Sequence, residues 1–179
     1  MKTSLLALFA IAVLIQWAAP LSQIWKYERV LASGTLVRLK CRAPDPYDPL
    51  RGRYLAVYPA ETEGKLPEGE ELPGGTPVYA VLTPDEGGVS HISSLVLTPP
   101  ASGVYVKTKL RWGSTIEWPF DRFYLNEKLA PEADKWLAEN IRSEKGVIAV
   151  VRVLDGRAVL EDLTFEGQSF REVLKQRVK

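Results

Sequence analysis

The sequence predicts an α+β, mainly β protein: a single N-terminal transmembrane helix, then an antiparallel β-rich domain, a sandwich or partly closed barrel, with two short helices. Three observations carry this. Residues 5–25 hold no formal charge, and a helix of about 20 apolar residues spans a bilayer core. Past residue 29 the apolar period becomes two, the signature of strands with one wet face. Residues 147–165 place two apolar runs on either side of Asp155-Gly156, a pair that accepts the positive φ angles of a type I′ hairpin turn.

The bulk numbers fit one anchor, residues 1–29, and one domain, residues 30–179: the 179-residue chain is 25% charged with a formal charge of +1. Nothing in that balance points to nucleic acid. The lone cysteine, Cys41, excludes an internal disulfide and a multi-cysteine zinc site, and the lone histidine, His91, excludes histidine pairs. No metal and no cofactor is expected.

The first element is the anchor, with the lipid bilayer met through residues 5–25. Lys2 precedes the run and Trp25, Lys26, Tyr27 and Arg29 follow it, the aromatic and basic flank of a membrane interface. A cleaved signal peptide is the rival reading, because Lys2 and the apolar residues 5–15 have the right lengths. Its cleavage site is poor: a cut behind Ala19 sets Trp17 three residues before the bond, and one behind Ser22 sets Pro20 there. Basic residues lie on both sides of the run, so charge does not fix the orientation. The signal-like start favours an extracytoplasmic C-terminal domain.

Next come the strands. Thr35, Val37, Leu39, Cys41 and Ala43 face one way and Leu36, Arg38, Lys40 and Arg42 the other; Val104, Val106, Thr108, Leu110 and Trp112 alternate likewise with Tyr105, Lys107, Lys109 and Arg111. Further strands fall at 53–58, 77–82 and within 90–98. Residues 61–75 are acidic, rich in Gly and Pro and without apolar period, which reads as an exposed loop. Two amphipathic helices follow. One, at 131–141, has Ala133, Trp136, Leu137 and Ile141 at helical spacing; the other, from 169 onward, has Phe170, Val173 and Leu174 on one side.

Between the first two strands, residues 43–58 contain three prolines, two aspartates, two arginines and one glycine. Proline fixes φ and extends the residue before it, so Asp45 and Asp48 sit in a nearly preset turn. Gly52 supplies a backbone angle or a close approach denied to a side chain. A carboxylate here can pair bidentately with Arg51 or Arg53.

At these residues the chain resembles the GDYXXLXY family of membrane-anchored bacterial proteins, whose approach of the form Pro-x-Asp-Pro-x-Asp-Pro-x-Arg-Gly is matched here by the run from Asp45 to Tyr54. The family's name pattern is kept at Gly52 and Tyr54, becomes Val57 where leucine stands, and fails at Arg53 and Pro59. Residues 118–127, from Trp118 through Arg122 to Glu127, resemble the family's aromatic segment, and the Asp155-Gly156 hairpin falls where the family has one. The resemblance implies a hydrophobic N-terminal segment, a β-rich domain and an integral membrane protein as partner, and it implies no activity.

The expected function is therefore that of a membrane-anchored interaction or accessory module. Its candidate ligand or motif residues are Asp45, Asp48, Arg51, Gly52, Tyr54, Arg122 and Glu127, since arginine and aromatic groups are enriched at protein contacts. Ion pairing that only holds two corners together explains the charged members equally well. The alternative is a cell-envelope hydrolase with a carboxylate pair, Asp45 with Asp48 or Asp121 with Glu127. No catalytic residue is assigned. His91 lies in a strand-like run without a serine elbow, and Cys41 belongs to an apolar strand face.

Overall fold

The computed structural model describes residues 2–42, 54–67, 72–124 and 146–177. The chain starts with α1 (Lys2–Ser33). At 1.5 Å per residue this helix is about 48 Å long, well beyond the ~30 Å of a bilayer core. Within it, Leu8–Ser33 is long and apolar enough to cross a membrane, with a mean hydropathy of 1.5. Pro20 sits inside the helix and removes one backbone donor, which spanning helices tolerate. The helix runs four residues past the 29-residue anchor boundary, and there Val30 is buried as the last turns pack on the domain.

Strand β1 (Thr35–Arg42) leaves the helix directly, burying Val37 and Leu39 and exposing Leu36, Arg38 and Lys40, as its alternation requires. After it come β2 (Tyr54–Ala56), β3 (Tyr58–Pro59), β4 (Pro77–Pro84), β5 (Ser90–Val96), β6 (Val104–Trp112), β7 (Thr115–Glu117) and β8 (Arg122–Tyr124). The chain then forms β9 (Val147–Leu154), β10 (Arg157–Phe165), β11 (Gln168–Ser169) and α2 (Phe170–Arg177). The helix expected at 131–141 lies outside the described residues.

These strands make a five-stranded sheet β11-β10-β9-β1-β3, a four-stranded sheet β5-β4-β6-β7 and a β2-β8 ribbon, with every strand pair antiparallel. The β9-β10 hairpin turns at Asp155 (φ 50°) and Gly156 (φ 77°). Both angles are positive, as a type I′ turn demands. The tip also joins the two large sheets: the Lys107 amide donates to the Gly156 carbonyl at 2.8 Å. Val37, Leu39, Ala149, Val151 and Val153 from one sheet and Val78, Ala80, Leu82, Val106 and Leu110 from the other share a single core. At about 1.5–3 kcal/mol per fully buried aliphatic side chain, that layer supplies the main driving force for the fold.

Two expectations need correction. Trp112 was placed with the inward residues of β6 and is 63% exposed. The register shifts between Leu110 and Trp112, and a bulge of this kind turns the next side chain to the opposite face. Residues 61–67 are not a loose exposed loop either. The Ile116 amide donates to the Thr62 carbonyl at 2.7 Å, Gly64 donates to Ser114 at 3.2 Å, and Leu95 donates to Lys65 at 2.8 Å. This segment therefore lies against both β7 and β5, the two edges of the four-stranded sheet. It partly closes the sheet on itself and covers edges that would otherwise offer unpaired backbone groups. Leu66 packs this segment against the core.

Cys41 continues the inward row of β1, where burial pushes its thiol up to about 12. With each pKa unit worth tenfold in thiolate, alkylation at pH 8 is expected to run more than about 100-fold slower in the folded chain than in the unfolded one. Equal rates, measured by mass spectrometry of iodoacetamide-treated protein, would show that the thiol is open.

Candidate functional site

Of the residues expected to carry function, Tyr54 and Arg122 share the β2-β8 ribbon. The strand expected at 53–58 divides at Val57, whose amide donates to the Asp121 carbonyl at 2.9 Å, into β2 and β3 on different sheets. In the β2-β8 ribbon Tyr54 stands opposite Tyr124, Leu55 opposite Phe123 and Ala56 opposite Arg122. Thus the end of the proline-rich segment pairs with the aromatic segment. Arg122 Nε lies 3.5 Å from Asp121 Oδ1, with both side chains exposed. Asp45, Asp48, Arg51, Gly52 and Glu127 lie outside the described residues.

Aromatic packing sets the position of this corner. Phe123 is buried against Phe170 of α2, ring centroids 6.4 Å apart, and the Arg171 guanidinium sits 4.6 Å from its centroid. Trp118 packs on Phe120 at 5.7 Å, and its indole N–H donates to the Glu61 carbonyl at 2.9 Å. Tyr58 and Tyr124 stay exposed, together with Arg42, whose Nε donates to the Ala60 carbonyl at 2.9 Å. Seven residue steps along β1, at about 3.3 Å each, separate this end of the sheet from the helix junction by roughly 23 Å.

Beside the corner, a recess of about 280 Å³ opens between Leu39, Pro59, Glu61, His91, Ile92 and Trp118. Its rim carries a charged cluster. His91 Nδ1 is 3.0 Å from Glu61 Oε2, and Nε2 is 3.2 Å from Asp85 Oδ2. Each carboxylate is also held by backbone: Ile92 N–H donates to Glu61 Oε1 at 3.1 Å and Val89 N–H to Asp85 Oδ1 at 2.9 Å. Hydrogen bonds to Asp85 and then to Glu61 raise the imidazole above its ordinary value. Asp85 is lowered, chiefly by the Val89 amide and then by His91.

His91 was expected to be a surface or sheet histidine, and it is an exposed residue of β5. Its two carboxylate partners come from different distances along the chain. Asp85 lies across a tight turn whose Gly87-Gly88 pair signals the reversal, so its proximity was readable. Glu61 is 30 positions away on a segment read as a loop, and no local signal links the two. Among the described residues, no group of three or more His, Cys, Asp or Glu is arranged to hold a metal ion.

A long apolar helix joined end-on to an antiparallel β domain, with an aromatic and arginine-bearing corner at the domain's far edge, defines a helix-tethered β-domain protein. The model of the GDYXXLXY protein family matches residues 16–163, from the second half of α1 into β10. The chain belongs to that family. No curated protein and no solved structure matches it.

Proposed function

We propose that the protein is a single-pass membrane protein that holds its β domain outside the cytoplasm, as an interaction or accessory module for a multi-helix membrane partner. One observation carries the membrane reading. Phe9 and Ile11 point about 200° apart around the helix, yet they are 68% and 53% exposed. A helix apolar on all sides and bare of protein requires another apolar environment. A signal sequence has the same composition, so the test must detect retention as well as association.

The β2-β8 corner is the surface offered to the partner, because Tyr58, Tyr124, Arg42 and Arg122 bring together the residue types that dominate protein contacts. Nothing in the family match or in the described residues points to a hydrolase.

Full-length chain is expected to stay in the membrane pellet through alkaline carbonate, at the mass of the uncleaved polypeptide. Deleting residues 2–25 is expected to release a folded domain into the supernatant. Release of the full-length chain by carbonate, or a product shortened to begin after residue 15, would overturn the anchor. For the partner, Tyr124→Ser is expected to lower co-purification of a membrane protein with the folded fraction; unchanged recovery would remove the corner from the interface.

A further inference from the structure

We propose that Glu61, His91 and Asp85 form a proton-operated latch on the recess, closed while the imidazole carries both ring protons and released when it loses one. The argument starts from the donor inventory. A neutral imidazole has one N–H and one lone pair, so it can donate to a single carboxylate. Here both ring nitrogens lie within 3.2 Å of a carboxylate oxygen. With the carboxyls ionised, a lone pair aimed at either oxygen is repelled. Only imidazolium satisfies both contacts at once, and its loss leaves one of the two carboxylates facing a lone pair.

The latch joins three separate pieces of chain. His91 is on β5, Asp85 is in the β4-β5 turn, and Glu61 is on the segment that closes the four-stranded sheet. The same Glu61 residue holds the Ile92 amide through its side chain and the Trp118 indole through its carbonyl, so releasing it loosens the recess wall. The other charges nearby come from β1 and the turn. Lys40 lines the recess, Arg38 Nη1 reaches the vicinity of Gly88, and Glu86 is in the turn itself. Desolvation opposes protonation of the ring, and the hydrogen bonds to the two carboxylates outweigh it.

The sign of the pH dependence follows. His91 is raised, so its contribution is complete below the ordinary value of 6.5 and is lost as pH rises through the raised one. Asp85 is lowered, so its contribution is complete above its ordinary carboxyl value and is lost as pH falls through the lowered one. The latch is closed between those limits, a state of net charge −1, and opens on the alkaline side to net −2.

Since the chain has one histidine, its imidazole resonances can be followed unambiguously by NMR on the full chain in detergent micelles. The midpoint is expected above 6.5, and Asp85→Asn and Glu61→Gln are each expected to move it down. The Trp118 indole N–H resonance, assigned with Trp118→Phe, is expected to shift with the same midpoint and to stop titrating in His91→Gln. A midpoint at or below 6.5, or one unmoved by both carboxylate variants, would refute the latch. So would a Trp118 signal that stays flat through the titration, or one that still titrates in His91→Gln. Should Glu61→Gln fail to fold, Asp85→Asn, in an exposed turn, decides the question alone.

Discussion

Replacing Phe123 by alanine is expected to destabilise the domain by about 3–5 kcal/mol, the usual cost of truncating a buried phenylalanine. The ring is 2% exposed and fills the space between β8 and α2, where Phe170, itself 1% exposed, and Arg171 meet it. Removal strips the first turn of an eight-residue helix of its main contact. Such a helix is far too short to persist without tertiary packing, so the cavity is expected to be accompanied by fraying of α2. For a domain of this size the loss corresponds to a fall in Tm of about 10 °C. Thermal unfolding of the full chain in micelles measures it, and a fall below about 2 °C would mean that the ring is not part of the core.

The consequence reaches beyond stability. Residues 118–127 are a family segment, and it is natural to assign such a segment to function. The structure divides it: Trp118, Phe120 and Phe123 turn inward to fix the corner, while Tyr124 on the next position faces solvent. A partner assay on Phe123→Ala therefore reports folding, whereas Tyr124→Ser reports contact. The two variants together separate a corner that only holds itself in place from one that meets another protein.

What could be read from the sequence was local. The β9-β10 hairpin was legible because turn chemistry and strand alternation agree over 19 consecutive positions, and the inward rows of β1 and α2 were legible from their periods. The long apolar helix was legible from its length and its lack of charge. What escaped is long-range. Residues 61–67 have no period of their own, because their place is set by hydrogen bonds to β5 and β7 rather than by a buried stripe. Trp112 followed the alternation until a bulge broke it, and the strand at 53–58 divides because Val57 bonds to the residue before β8 instead of to a strand partner. The meeting of Glu61 with His91 depends on that same closing segment. A reader of one sequence has no means of knowing that it returns to β5.

Gly34→Ala is expected to disturb the junction between α1 and the domain, at a cost of about 1–3 kcal/mol or somewhat more. Gly34 directly follows Ser33, the last residue of α1, and its amide closes the final helical hydrogen bond to Val30 at 2.8 Å. Its backbone angle is not the constraint, since it is absent from the positive-φ positions. Space is. A Cβ there would lie 2.5 Å from the Val30 carbonyl oxygen, 3.0 Å from the Val153 nitrogen and 3.1 Å from Arg152 Cβ. Two of those atoms are backbone, one in the helix and one in β9, so no side-chain rotation can relieve the contact. The helix end must part from the sheet. That movement would draw Gly34 away from Arg152, whose Nη1 donates to the Gly34 carbonyl at 3.3 Å and whose Nε holds Glu161 at 2.6 Å. It would also uncover Val30, which is 2% exposed only because the domain covers it. Limited proteolysis of the full chain in micelles is expected to show new cutting near residue 34 in the variant, together with a lower Tm. An unchanged Tm and an unchanged digest would mean that helix and domain are joined loosely, and that the orientation of the corner is not set by α1.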